Sequence, residues 1–262
     1  MTQRHSSAIP RRSFLTAFAG LGALAGLGSP TRAAEASVRK GRLKQAVCRG
    51  VFRGVKLDLD GMCREAARLG ARGIDLVGPE TFPTLKKYGL VPTMVGGGSG
   101  IQRGINDKNF HAEIDRKMRE AIKASADAGA PNVIVMAGDR KGISDEAGMD
   151  NSVTFLNNVK REAEDRSVTL CIELLNSKVN HPGYMCDSTA WGVEVCKRVN
   201  SPRVKLLYDI YHMQIMEGDV IRTIRKNIEH IGHFHTAGNP GRNEFDDTQE
   251  LNYVPICKAI AD

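Results

Sequence analysis

Two hydrophobic periods alternate along this chain once its first forty residues are passed. Leu59, Met62, Ala66 and Leu69 recur at helical spacing, and so do Ile114, Met118, Ala121, Ile122 and Ser125. Between such stretches lie short apolar runs, at 47–52, 73–77, 90–95, 132–137, 168–174, 204–208 and 230–236. The run NVIVMA at 132–137 has almost no polar position, which marks a strand of a parallel sheet covered on both faces. Helices are predicted at 59–69, 83–88, 112–128, 149–165, 189–199 and 220–228, with another beginning at 252. Seven strand–helix units therefore follow one another without a break in composition. This pattern predicts an α/β fold, a (β/α)8 TIM barrel with seven units present and the eighth missing, as one domain over 37–262 that is incomplete at its C-terminus. An open doubly wound sheet is the structural alternative, but it calls for a phosphate loop near its first strand. GGGSG at 96–100 has neither G-x-G-x-x-G spacing nor a P-loop lysine, and reads as a mobile rim loop.

The N-terminus follows another pattern. Arg11-Arg12-Ser13-Phe14-Leu15 precedes an apolar stretch over 17–27, then small residues around Ala33, Ala34 and Ala36. A charged start, a short apolar core and a small-residue cleavage region form an export signal, and the paired arginines resemble the twin-arginine type. The expectation is a signal over 1–36, passage through the twin-arginine (Tat) export machinery, and a periplasmic or exported location. The same segment explains the charge. The formal net charge of +7 includes Arg4, Arg11, Arg12 and Arg32, with no acid among residues 1–34. The near-balance left behind gives no electrostatic footprint for nucleic acid, and 5% aromatic content gives no stacking platform. Six cysteines carry no CxxC and no zinc-finger spacing, so buried thiols are expected for Cys48 and Cys171.

The chemistry concentrates between 168 and 253. A barrel enzyme places its working groups at the C-terminal ends of its strands. Glu173, Asp209 and His235 each fall at or just before such an end. Two carboxylates and an imidazole suit a divalent metal such as Mn, Mg, Co or Zn, and no softer sulfur set accompanies them. Asp209 and His212 sit in the apolar run YDIYHM, where two polar groups are costly unless paired or ligated. His233 and His235 share a strand face by the period of two; a hydrogen-bonded core histidine is the plain reading of His233.

YDIYHMQIMEGD, then IGHFHTAGNPGR, then LNY closely resemble the hydroxypyruvate isomerases, within the xylose isomerase-like barrel superfamily of sugar isomerases and epimerases. The resemblance covers about 44–262 and is strongest over 168–253. It implies that Glu173, Asp209 and His235 ligate the metal, that Glu173 is also a catalytic acid/base, and that His212 and Arg242 hold substrate oxygens. The implied reaction interconverts a 2-hydroxyaldehyde and a 2-ketoalcohol through an enediolate, on a small hydroxy-keto acid or a ketose. Arg242 suits a substrate carboxylate. The chain departs from the family pattern in three places. It ends before the strand-eight glutamate that serves the family as second base and fourth ligand. It carries FDDTQ at 245–249 where the family tends to have Pro-Gly-Thr-Gly, and His235 where many hydroxypyruvate isomerases have Gln. The alternative is thus a non-catalytic exported protein that binds a metal or sugar acid. A metal-dependent phosphoesterase of similar barrel type would need a basic groove that the charge does not provide. Open outer strands would also admit pairing into a homo-oligomer.

Overall fold

The structure is a computed structural model and describes residues 41–262. The expected export signal over 1–36 lies outside the described residues. Among them, seven parallel strands form one sheet in sequential order: β1 (Ala46–Cys48), β2 (Gly73–Val77), β3 (Val91–Gly96), β4 (Asn132–Val135), β5 (Thr169–Glu173), β6 (Val204–Asp209) and β7 (Ile231–His235). Each crossover carries helix: α1 (Leu59–Arg68), α2 (Phe82–Lys87), α3 (His111–Ala128), α4 (Asp145–Asp165), α5 (Thr189–Val199), then α6 (Ile210–Met216) and α7 (Val220–Asn227), with α8 (Tyr253–Ala261) after β7. Strict sequential parallel order with helical crossovers is the wiring of a TIM barrel. β1 and β7 are the outer strands of this sheet.

Alternation along the strands builds two layers. Outward residues such as Val133, Val135, Leu170, Ile172, Leu206 and Tyr208 join Ile122, Phe155, Leu156 and Val159 of the helices in one large buried cluster. Inward residues Met94, Ile134, Cys171 and Leu207, one from each of β3 to β6, form a separate small cluster. Two residues further along β5 and β6, on the same inward face, stand Glu173 and Asp209. The apolar layer therefore makes the floor under the charged one. The sheet curls strongly enough for β7 to reach β2, since His233 Nε2 lies 2.7 Å from Asp75 Oδ2.

Local sequence signals set the helix starts. Asp58, Ser144 and Ser188 each accept a hydrogen bond from a backbone N–H of the first turn of α1, α4 and α5. Gly129 closes α3 in the left-handed conformation. The run after Tyr208, to which the hydrophobic pattern assigns no element, is a helix, α6, because the Asp209 side chain accepts from the backbone N–H of His212 and starts a new turn directly at the strand end. One expectation is corrected. GGGSG is a packed element and not a loose rim loop: a Cβ on Gly97 would stand 2.5 Å from the Ile134 carbonyl oxygen. The Ser99 hydroxyl also accepts from the Met136 N–H at 2.8 Å. Cys186 and Cys196, close in sequence, are both buried free thiols, as Cys171 is.

Leu170 is fully buried in the helix-facing layer. Its replacement by alanine is expected to cost about 2–5 kcal/mol in guanidinium unfolding. Val254, 81% exposed on α8, should tolerate alanine within about 0.5 kcal/mol. Equal losses at the two positions would contradict this layer assignment.

Candidate metal centre

β5, β6 and β7 each end on a polar residue, and register brings these ends together. Asp209 pairs with His235 across β6 and β7, and Glu173 pairs with Leu207, two residues before Asp209. All three side chains are buried. One ligand atom from each of Glu173, Asp209 and His235 lies within 4.8 Å of the others. His235 Nδ1 is 3.3 Å from Glu173 Oε1 and 3.8 Å from Asp209 Oδ2. Two carboxylate oxygens and an imidazole nitrogen converging in a buried pocket fit a divalent ion of the Mg, Mn, Co or Zn class.

The surroundings fix each group. The Tyr184 hydroxyl donates to the Glu173 carbonyl at 2.9 Å and accepts from the Ala137 N–H at 3.0 Å, tying β5 to the end of β4. Arg242 Nη2 donates to Asp209 Oδ2 at 2.9 Å from the loop after β7. His212, in the first turn of α6, is wholly buried. Its Nδ1 accepts from the Asn176 backbone N–H at 3.1 Å and from the Asn176 side-chain amide at 2.6 Å. The amide is oriented by its oxygen, which accepts from the N–H groups of Val179 and Asn180. With Nδ1 bound as acceptor, the neutral ring carries its proton on Nε2. Arg242 Nη1 stands 2.8 Å from that Nε2, so a donor faces a donor there. Asp209 holds the guanidinium in place despite this mismatch.

Burial and charge act against each other throughout. Burial lowers His212, with the Arg242 charge adding to it, to about 2, so this imidazole is neutral. Burial also opposes the charged form of His235, but the Asp75 and Glu173 carboxylates outweigh it and push that ring up to about 10. Burial raises Asp209, with Arg242 and His235 partly offsetting it. Burial raises Asp75 too, yet hydrogen bonds from β7 win and hold it well below the ordinary carboxylate range. Without an ion, the His235 imidazolium and the Arg242 guanidinium supply the positive charge that these carboxylates require.

All five residues predicted from the sequence meet here: Glu173, Asp209 and His235 converge as a trio that could hold an ion, with His212 and Arg242 beside them. Sequence reasoning missed Asp75, Thr93 and Asn176. Asp75 is the lone charge in the inward half of the buried strand GIDLV, and that cost is the signal that could have found it. His233 is a hydrogen-bonded interior histidine, as its plain reading has it. A cleft of about 1190 Å³ opens over the site, lined by Asp75, Glu173, His233, His235 and Arg242, and by Arg49 and Arg53 after β1.

With this geometry in hand, relatives can be placed. The family described as "Xylose isomerase-like TIM barrel" matches residues 63–262, and the chain belongs to it. It is 35% identical over 157 residues to a 2-oxo-tetronate isomerase of Cupriavidus necator, covering 59% of this chain and 57% of that protein. It is 38% identical over 92 residues to the hydroxypyruvate isomerase of Escherichia coli, covering 34% and 35% of the two chains. The chain thus spans little more than half the first relative's length and about a third of the second's. Among solved structures, a family 2 AP endonuclease from Brucella melitensis superposes with a TM-score of 0.75 at 23% identity, over 83% of this chain and 88% of that one. The IOLI protein with a bound zinc atom superposes at 0.66 and 15% identity, over 83% and 84%. These two likenesses establish the fold alone.

The raised His235 has a consequence for the metal-free chain. Its folded value near 10 exceeds the ordinary 6.5 of an unfolded imidazole. The stability it contributes is fully present below about 6.5 and is lost as pH rises through about 10. Urea midpoints of metal-stripped protein should therefore fall between pH 7 and 10, and His235→Gln should flatten that decline. An unchanged slope in the variant would contradict the assignment.

Proposed function

We propose that this chain carries the metal-assisted acid/base centre of an isomerase that interconverts a 2-ketoalcohol and a 2-hydroxyaldehyde bearing a carboxylate, such as hydroxypyruvate and its aldehyde isomer. The observation that carries the reading is the convergence of Glu173, Asp209 and His235 at three consecutive strand ends beneath an open cleft. The relatives named for hydroxypyruvate and 2-oxo-tetronate isomerisation support the reaction class.

In this reading Glu173, Asp209 and His235 would hold a divalent ion, which would supply Lewis acidity for the charge that develops on the substrate. Glu173 removes the proton from the hydroxyl-bearing carbon. A double bond forms between that carbon and the former carbonyl carbon, giving an enediolate, and Glu173 returns the proton to the neighbouring carbon. The hydroxyl proton passes between the two oxygens, so atoms balance without any oxidant or reductant. The Nε2–H of His212, 3.8 Å from Asp209 Oδ2 and covered by Arg242, is the group that donates to a substrate oxygen once Arg242 moves aside. Arg242, 44% exposed, moves from Asp209 onto the substrate carboxylate, which it grips bidentately. That move also removes the donor–donor contact with His212. Arg49 and Arg53 on the same cleft add positive charge for an anionic substrate. Residues 1–36 complete the reading as an export signal that directs the protein out of the cytoplasm.

The test is solvent deuterium incorporation and aldehyde formation from hydroxypyruvate with Mn²⁺, followed by NMR. Glu173→Gln should lower both rates by about 10²–10⁴-fold, the usual weight of a general acid/base. Retained turnover removes Glu173 from the mechanism. A parent chain that binds Mn²⁺ without turnover makes it a binding protein.

A further inference from the structure

His235 has a carboxylate on each side of its ring. Nδ1 faces Glu173 and Asp209, at 3.3 and 3.8 Å. Nε2 points the other way, 3.3 Å from Asp75 Oδ2 on β2. This buried Nε2 makes no hydrogen bond of good geometry. A neutral imidazole has one N–H and one lone pair, and the partner of the first decides where the second points. Both oxygens of Asp75 face donors, the His233 ring nitrogen and the Thr93 hydroxyl, so this carboxylate stands as an acceptor. It does not drift, because His233 Nε2 holds Oδ2 at 2.7 Å and the Thr93 hydroxyl on β3 donates to its other oxygen. His233 and His235 stand two residues apart on one strand face, so the strand that presents His235 also anchors the group behind it.

We propose that Asp75 is the positioning residue of the metal centre. When an ion replaces the proton on Nδ1, the Asp75 carboxylate keeps the Nε2–H of His235, so that the Nδ1 lone pair is aimed at the space between Glu173 and Asp209. His233 and Thr93 hold Asp75 at the distance where it can do so. This inference rests on the metal reading above and adds to it a residue from the opposite side of the barrel. Asp75, His233 and His235 also converge within 4.8 Å and could form an ion site of their own. The short Asp75–His233 hydrogen bond favours the positioning role, since it already uses the oxygen and nitrogen that such an ion would need.

Calorimetric titration of Mn²⁺ into the metal-stripped full chain separates the outcomes. The parent chain should bind a single ion. Asp75→Ala should bind it about 10–100-fold more weakly at the same stoichiometry, the weight usual for a carboxylate behind a ligand histidine. Asp75→Asn, which keeps an acceptor oxygen, should lose less, with circular dichroism melting used to confirm its fold. If the alanine variant does not fold, the asparagine variant must still show weakened binding. In Zn²⁺-loaded protein labelled with ¹⁵N-histidine, His235 should show an ion on Nδ1 and a slowly exchanging proton on Nε2, and Asp75→Ala should lose that slow exchange. Affinity within twofold of the parent in a folded variant, or an ion on Nε2, overturns the proposal. Two ions in the parent falling to one in Asp75→Ala overturns it in favour of a second ion site. No ion bound by the parent defeats the metal reading itself, and this inference with it.

Discussion

Three carboxylates, Asp75, Glu173 and Asp209, are buried around one histidine, and buried anions must be paired or ligated. Much of the site's architecture answers that demand. β7 carries two histidines on its inward face, and both reach Asp75. The loop after β7 brings Arg242 back to Asp209, and α6 begins on Asp209 so that a backbone N–H meets its second oxygen. A single divalent cation between Glu173, Asp209 and Nδ1 of His235 would satisfy the same demand more compactly. It would also displace the His235 proton, so its uptake would be coupled to proton release.

The barrel places this charge where chemistry can use it. Met94, Ile134, Cys171 and Leu207 form a buried apolar layer in the interior below it. Above, the cleft is open and carries guanidinium groups. The charged layer therefore borders the open cleft, which is also lined by Ala46, Val47 and Cys48 of β1 and by Phe234 of β7. His212 follows the same logic: Asn176 fixes its Nδ1, and its remaining proton has no good acceptor until something enters from the cleft.

Much of this was legible in the residues. Period-two and helical patterning found seven strands and most of the helices, because parallel strands buried on both faces leave unbroken apolar runs. The trio Glu173, Asp209 and His235 was legible from its place at strand ends and from the resemblance of YDIYHMQIMEGD and IGHFHTAGNPGR to the hydroxypyruvate isomerases. α6 was not, since the apolar side chains of Ile210, Tyr211 and Met213 continue the strand's composition while the Asp209 cap changes the backbone. Asp75 was hidden for a different reason. Its partners lie some 158 residues away on β7, and only the curl of the sheet brings them together. The packing of GGGSG was equally invisible, being fixed by the close approach of β4 and α3 rather than by anything local.

The most direct measurement is anomalous X-ray diffraction from crystals of the chain grown with Mn²⁺ or Zn²⁺. The account predicts one strong peak bounded by Glu173, Asp209 and Nδ1 of His235, with Arg242 withdrawn from Asp209. A peak elsewhere, or an ion-free site in which Arg242 still holds Asp209, would contradict it.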